Sequence, residues 1–345
     1  MFIGGSGVLF GGGQAQAAPS GRETSKVTID HAHAEGVPPI EPVTLQPGEK
    51  LQVTASTTII GDVLQQIAGS VADVQVLMAI GQDPHTYEPA PRELARLERA
   101  HIVFVNGFDL EEGLLRVLES VAQGPIVPVS ANIAPLEGEA HDDEEHEDGH
   151  DDEADHNSEA EYDEHNHEQD PHVWFSVANV KSWVEIIATA LSDADPKNEA
   201  QYQANARSYL TQLETLDQET RQALDPIPQE RRVLVTGHGV FGYFARDYGF
   251  RVVGTIIPST STQAEASARQ IAQVVQDIRE YNGPAIFVGG TESQALQNLA
   301  QIIQQEAGTT VRVKPTLTGS LTPQQPTYID YFRYNVQQIV EGLSR

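Results

Sequence analysis

Three histidines stand where a metal ligand could be aimed. His85 lies in Gly81-Gln-Asp-Pro-His85-Thr-Tyr-Glu-Pro89, His172 in Asp170-Pro-His172-Val-Trp174, and His238 in Thr236-Gly-His238-Gly-Val-Phe241. A neutral imidazole nitrogen is a good ligand for a borderline-soft divalent cation. The proline before each of the first two rings restricts its loop and so preorganises the ligand. Taken singly, a histidine in such a loop is more often a hydrogen-bonded surface residue than a ligand. Two Asp-Pro-His sequences plus a third histidine at a strand end shift the balance together. His101 opens the apolar run HIVFVN without a loop around it, and it reads as structural.

A second histidine-bearing region is louder. Residues 137–170 hold 18 Asp or Glu, six histidines (His141, His146, His150, His156, His165, His167) and no Lys or Arg. With almost nothing apolar, this run builds no packed core. Interleaved imidazoles and carboxylates are a low-affinity auxiliary metal store, or else the run is a solvated spacer. A smaller pair, His31 and His33, sits in the leader that precedes the folded part.

The formal net charge is −29, of which the acidic run carries −18, leaving −11 for the remainder of the 345 residues. Such a field concentrates cations and opposes nucleic acid, whose phosphates need a basic patch. There is no cysteine, so disulfides, thiolate zinc sites and a lipid-modified cysteine are excluded, and a metal must be held by His, Asp or Glu. Residues 1–18, MFIGGSGVLFGGGQAQAA, end in small residues like a secretory signal, though the basic n-region is missing. Export is expected, and a floppy tail is the other reading. No apolar run is long enough to span a membrane.

The elements that must position the histidines follow from periodicity. Strands are expected at 51–55, 74–79, 101–106 and 126–129, with helices at 59–68, 91–100 and 110–120. After the acidic run come a helix at 177–191 and a long one at 198–224, where Tyr202, Ala206, Tyr209, Leu213 and Leu216 recur at helical spacing. A second series follows, with strands at 233–236, 252–256 and 285–288 and helices at 241–248, 264–281, 293–306 and 327–343. Strand–helix alternation predicts an α/β fold, two (β/α) lobes with parallel sheets joined by one long helix and a ligand in the cleft between them. The divisions are a signal remnant (1–18), an extended leader (19–48), an N-terminal lobe (49–196), a linking helix (197–224) and a C-terminal lobe (225–345).

The same motifs carry a resemblance. With Asn106-Gly-Phe-Asp-Leu-Glu111, His238-x-x-Phe-x-Tyr-Phe-Ala-x-x-Tyr-Gly249 and Tyr328-Ile-Asp-Tyr-Phe-Arg-Tyr-Asn335, the chain is similar to the zinc and manganese class (cluster A-I) of substrate-binding proteins of ABC importers. The resemblance implies a rigid backbone helix at 198–224 and metal ligands at His85, His172 and His238. It also implies a membrane permease and an ATPase as partners, a periplasmic or other extracytoplasmic location and a monomer. An acidic His-rich insertion before the second metal histidine is typical of the zinc-specific members. Two positions depart from the pattern. Gly319 stands where the family often has a ligand Asp, and Gly289-Gly290 where it often has Glu-Pro. Water, Glu292 or a carboxylate from the acidic run is left as the fourth ligand.

Three imidazoles favour Zn(II) over manganese, which prefers carboxylate oxygens. Affinity is expected to fall below about pH 6.5, where free histidine protonates. Three other readings stay open: a manganese or other divalent-metal binder of the same class, a zinc hydrolase or hydratase built on a three-histidine site, and an extracellular buffer acting through the acidic run.

Overall fold

The computed structural model describes Met1 and residues 36–136, 169–283, 285–290, 292–308 and 311–344. The remainder of the signal-like segment, the His31/His33 pair and all six histidines of the acidic run lie outside the described residues.

The first half builds strands β1 (Leu51–Ala55), β2 (Ala72–Val76), β3 (Ile102–Val105) and β4 (Ile126–Pro128). They pair in parallel in the order β2-β1-β3-β4. β3 is buried along its whole length, as a central parallel strand must be when helices cover both faces. Its crossovers are α1 (Thr58–Ala68), α2 (Pro91–Leu97) and α3 (Glu112–Val121). Thr57 starts α1, its side chain accepting from the Ile60 N–H at 3.2 Å. His101 is structural, as expected: its Nδ1 accepts from the Gln52 N–H at 2.9 Å.

Two helices then carry the chain across, α4 (Val177–Ala194) and α5 (Glu199–Leu224). At about 1.5 Å per residue α5 spans roughly 40 Å. Its stripe of Tyr202, Ala206, Tyr209, Leu213 and Leu216 is buried. The second half repeats the first. Strands β5 (Val233–Thr236), β6 (Arg251–Thr255), β7 (Ala285–Gly289) and β8 (Arg312–Thr316) pair in parallel in the order β6-β5-β7-β8. Helices α6 (Gly242–Tyr248), α7 (Ala268–Glu280), α8 (Gln294–Ala307) and α9 (Tyr328–Leu343) complete it. α9 packs against α5 and β8, and α5 also against α1 and α4.

Three expectations shift. β2 begins at Ala72 and ends at Val76, because Leu77 to Ile80 turn toward His85. α7 begins at Ala268, capped by the Ser267 side chain, which frees residues 257–266 as a loop. β8 is unforeseen, since Lys314-Pro315 reads as a strand breaker. Proline is tolerated because β8 is an edge strand, as is β4 with Pro128. Residues 36–48 form no helix or strand, yet Val37, Ile40, Val43 and Leu45 pack on the core. No helix among the described residues is long and apolar enough to cross a membrane.

Candidate metal centre

Each histidine hangs from a loop with its own local lock. His85 sits in a single 3-10 turn, Pro84–Thr86, after β2, where Asp83 Oδ1 accepts from the His85 N–H at 3.1 Å. His172 precedes a similar turn, Val173–Phe175, with Asp170 Oδ1 accepting from its backbone N–H at 2.9 Å. His238 follows β5, its carbonyl accepting from Thr236 Oγ1 at 2.8 Å.

All three side chains are buried, and one nitrogen from each lies within 4.8 Å of the others. Ring centroids are 5.1–5.8 Å apart. His85 Nε2 and His172 Nε2 are separated by 3.2 Å. Two nitrogens that share one tetrahedral zinc at about 2.0–2.1 Å stand about 3.3 Å apart. At the observed spacing the two lone pairs need a shared proton or a shared cation between them.

The opposite nitrogens are tied to carboxylates. His172 Nδ1 meets Asp170 Oδ1 at 2.9 Å, and His238 Nδ1 meets Glu292 Oε1 at 2.7 Å. Each carboxylate oxygen accepts, so Nδ1 carries the proton and Nε2 keeps its lone pair for the centre. Glu292, one of the expected fourth ligands, thus sits behind His238, with its other oxygen accepting from the Gly289 N–H at 2.9 Å. Gly319 packs on the His85 loop instead: a Cβ there would lie 2.6 Å from Pro84 Cδ. Among the described residues no carboxylate joins the three nitrogens.

Burial, then repulsion from His172 and His238, pushes His85 down to about 3. His172 is likewise held well below its ordinary value, mainly by burial. Burial therefore favours the neutral form of His85 and His172 below pH 6.5, which weighs against an affinity that falls as soon as pH drops past that value. Burial pushes Asp170 up to about 7 and Glu111 up to about 7.

The remaining motifs are supports. Asn106 Nδ2 donates to the Pro171 carbonyl at 2.8 Å, and the Asn106 N–H donates to Glu111 Oε1 at 2.9 Å. Trp174 Nε1 donates to the Thr318 carbonyl, and Asn335 brackets Leu317 through both its amide atoms, holding the loop of Gly319. The ends of the acidic run are pinned here too. The Asp170 N–H donates to the Leu136 carbonyl at 2.9 Å, and the Tyr243 hydroxyl bonds both Leu136 N–H and Asp170 carbonyl. Across the cleft, Thr262 Oγ1 donates to Asp83 Oδ2 at 2.7 Å and Gln263 Nε2 to the His85 carbonyl at 2.8 Å.

The family profile for the zinc-uptake complex component A, periplasmic (ZnuA), matches residues 53–342. The chain belongs to the ZnuA family. This ZnuA-family protein is 32% identical over 304 residues to the manganese-binding lipoprotein MntA of Halalkalibacterium halodurans, covering 88% of this chain and 91% of that one. Among solved structures it resembles the manganese-bound periplasmic metal binding protein from Candidatus Liberibacter asiaticus (26% identity, TM-score 0.71). It equally resembles the periplasmic zinc binding protein TroA from Treponema pallidum (26% identity, TM-score 0.71). Each match covers 86% of this chain and all of the other. A ZnuA-family member is a solute-binding protein for a divalent metal, outside the cytoplasm, and not an enzyme. MntA is named a lipoprotein, whereas the sequence here has no cysteine, so the expected lack of a lipid anchor finds no support in the family.

Of the residues that matter here, Thr262 and Gln263 carried no sequence signal as site residues, and Tyr243 was visible only as part of the His238 motif. Asp170 was legible as the first residue of the second Asp-Pro-His sequence, but not as the partner of the His172 ring.

Proposed function

We propose that the protein captures Zn(II) in the cleft between its lobes and delivers it to a membrane permease driven by an ATPase. His85, His172 and His238 are the ligands, through Nε2 of at least His172 and His238. A single observation carries the reading: three buried imidazoles converge with no carboxylate among the ligand atoms of the described residues, a donor set suited to zinc. The fourth position falls to water, since Glu292 faces away and Gly319 has no side chain. The family's uptake role supports the partners.

Manganese is the second reading, favoured by the name of the MntA relative and by the manganese-bound structure. Competitive titration with Zn(II) and Mn(II), followed by a crystal structure with anomalous scattering at the zinc edge, separates the two. Tighter manganese binding, or an ion away from the three rings, would sink the zinc reading. The acidic run serves as a collector of extra zinc, supported by its composition and by the pinning of Leu136 and Asp170 beside His172. Equal zinc stoichiometry in the wild type and a deletion within 137–168 would leave it a spacer.

A further inference from the structure

The carboxylate of Glu292 is seated where two glycines leave room for it. A Cβ at Gly237 would lie 2.6 Å from Glu292 Oε1 and 2.8 Å from its Cδ, and a Cβ at Gly289 would lie 3.1 Å from that Cδ. The side chain is almost wholly buried, and both its oxygens are engaged, one by His238 Nδ1 and one by the Gly289 N–H. Neither of its side-chain bonds goes to Lys or Arg, and both it and His238 are buried, so this is not a surface ion pair.

We propose that Glu292 is a positioning residue of the metal centre, held in a cradle formed by Gly237 and Gly289, and that it fixes His238 as the Nδ1–H tautomer. The assignment rests on the zinc reading above and replaces the view of Glu292 as a ligand. A ring free to rotate or to place its proton on Nε2 offers no lone pair to the cation. A buried carboxylate at Nδ1 removes that alternative and makes Nε2 more basic. The position of Glu292 also bears on Gly289, the first of the two glycines at the end of β7, where a Cβ would crowd both Thr318 Oγ1 (2.6 Å) and the Glu292 Cδ (3.1 Å). The carboxylate comes from three residues farther on and folds back over Gly289, accepting from its N–H. Losing such a partner behind a metal-ligating histidine lowers metal affinity about 10–100-fold.

A double-mutant cycle tests this, with zinc affinity measured by chelator competition and folding by circular dichroism. Glu292→Ala is expected to bind zinc about 10–100-fold more weakly with the fold intact, and Glu292→Gln to fall between Ala and wild type. Gly237→Ala is expected to weaken binding in the wild-type background, because its methyl displaces the carboxylate, but to cost nothing further once Glu292 is Ala. Nitrogen NMR of the His238 ring in metal-free protein is expected to show the Nδ1–H form, and a mixture of tautomers in Glu292→Ala. Wild-type affinity in Glu292→Ala, an equal Gly237→Ala penalty in both backgrounds, or an unchanged tautomer would overturn the proposal. If Glu292→Ala does not fold, Glu292→Gln and Gly237→Ala still decide it. Failure of the wild type to bind zinc would strike the capture reading alone, and the tautomer readout would still judge Glu292.

Discussion

Two buried carboxylate–histidine pairs face each other across the cleft, and they are built by different means. Asp170 and His172 are two residues apart, joined by one proline, and Asp170 uses the same oxygen for the ring and for the backbone N–H of His172. Glu292 and His238 are 54 residues apart, on the loops after β7 and β5, and Glu292 divides its oxygens between the ring and Gly289. The first pair is a feature of a tripeptide. The second exists only once the C-terminal sheet has assembled, because β5 and β7 must pair before the two residues meet. His85 has a third arrangement: its ring meets His172 through Nε2 at 3.2 Å rather than a carboxylate.

The largest effect separates ligands from their supports. His172→Ala or His238→Ala removes a ligand outright and should exceed the roughly 10–100-fold loss typical of a partner behind one. Isothermal titration with Zn(II) reads this, and near-normal affinity in either variant would move the centre elsewhere.

A second experiment probes the deeper support of the local pair, which runs from Pro171 through Asn106 to Glu111. Burial raises the Glu111 carboxyl from 4.5 to about 7. The folded state therefore holds its proton more tightly than the unfolded chain does. Its stabilising contribution is complete below 4.5 and is lost as pH rises toward 7. Glu111→Gln keeps an acceptor for Ser56 and Asn106 but does not ionise. Its stability relative to wild type should grow across that window by roughly 3 kcal/mol at most. Urea melts of metal-free protein at about pH 5 and about pH 8 measure the difference, and a constant gap would show that Glu111 ionises normally.

The contrast in oxygen usage predicts unequal responses to amide substitution. Asp170→Asn can keep Oδ1 for both donors, so its zinc affinity should stay within a few-fold of wild type. Glu292→Gln must turn an amide N–H₂ toward either His238 or the Gly289 N–H, and a buried donor without an acceptor costs about 1–3 kcal/mol. Equal losses in the two variants would erase the distinction between the pairs.

Smaller still is the contact that closes the cleft. Thr262→Val deletes one hydrogen bond to Asp83 and should cost about 1 kcal/mol, seen as faster zinc release in stopped-flow chelation with the on-rate unchanged. The smallest expected effect is none: zinc affinity should be level from neutral pH to about pH 5.5, because burial keeps His85 and His172 unprotonated there. A steep decline in that range would mean that the rings are solvated when the ion arrives.

The same contrast explains what was legible beforehand. His85, His172 and His238 carry their meaning in short motifs, with a turn-forming Asp-Pro or a strand end beside each, and the structure brings these three together. Strands such as Leu51–Ala55 and Val233–Thr236 are apolar runs between turn signals, and their bounds agree with the sequence reading. Glu292 was noticed for its charge, but its partner could not be inferred, since nothing local in Gly-Gly-Thr-Glu-Ser points 54 residues back. Gly289 stood out only as part of a departure from Glu-Pro, and nothing local in the sequence places a carboxylate beside it or beside Gly237. β8 was hidden by Pro315, whose missing N–H argues against a strand unless the strand is known to lie at an edge.

That edge placement has a further consequence. β4 and β8 are the last strands on the same side of two sheets of like order, and each carries a proline, Pro128 and Pro315. A proline has no N–H to offer a newcomer, so neither sheet is an easy template for a fifth strand from another chain. A protein that works outside the cytoplasm still folds in crowded surroundings, where open sheet edges invite aggregation. Replacing Pro128 or Pro315 with valine would leave the metal centre untouched and expose the chain to strand-by-strand association.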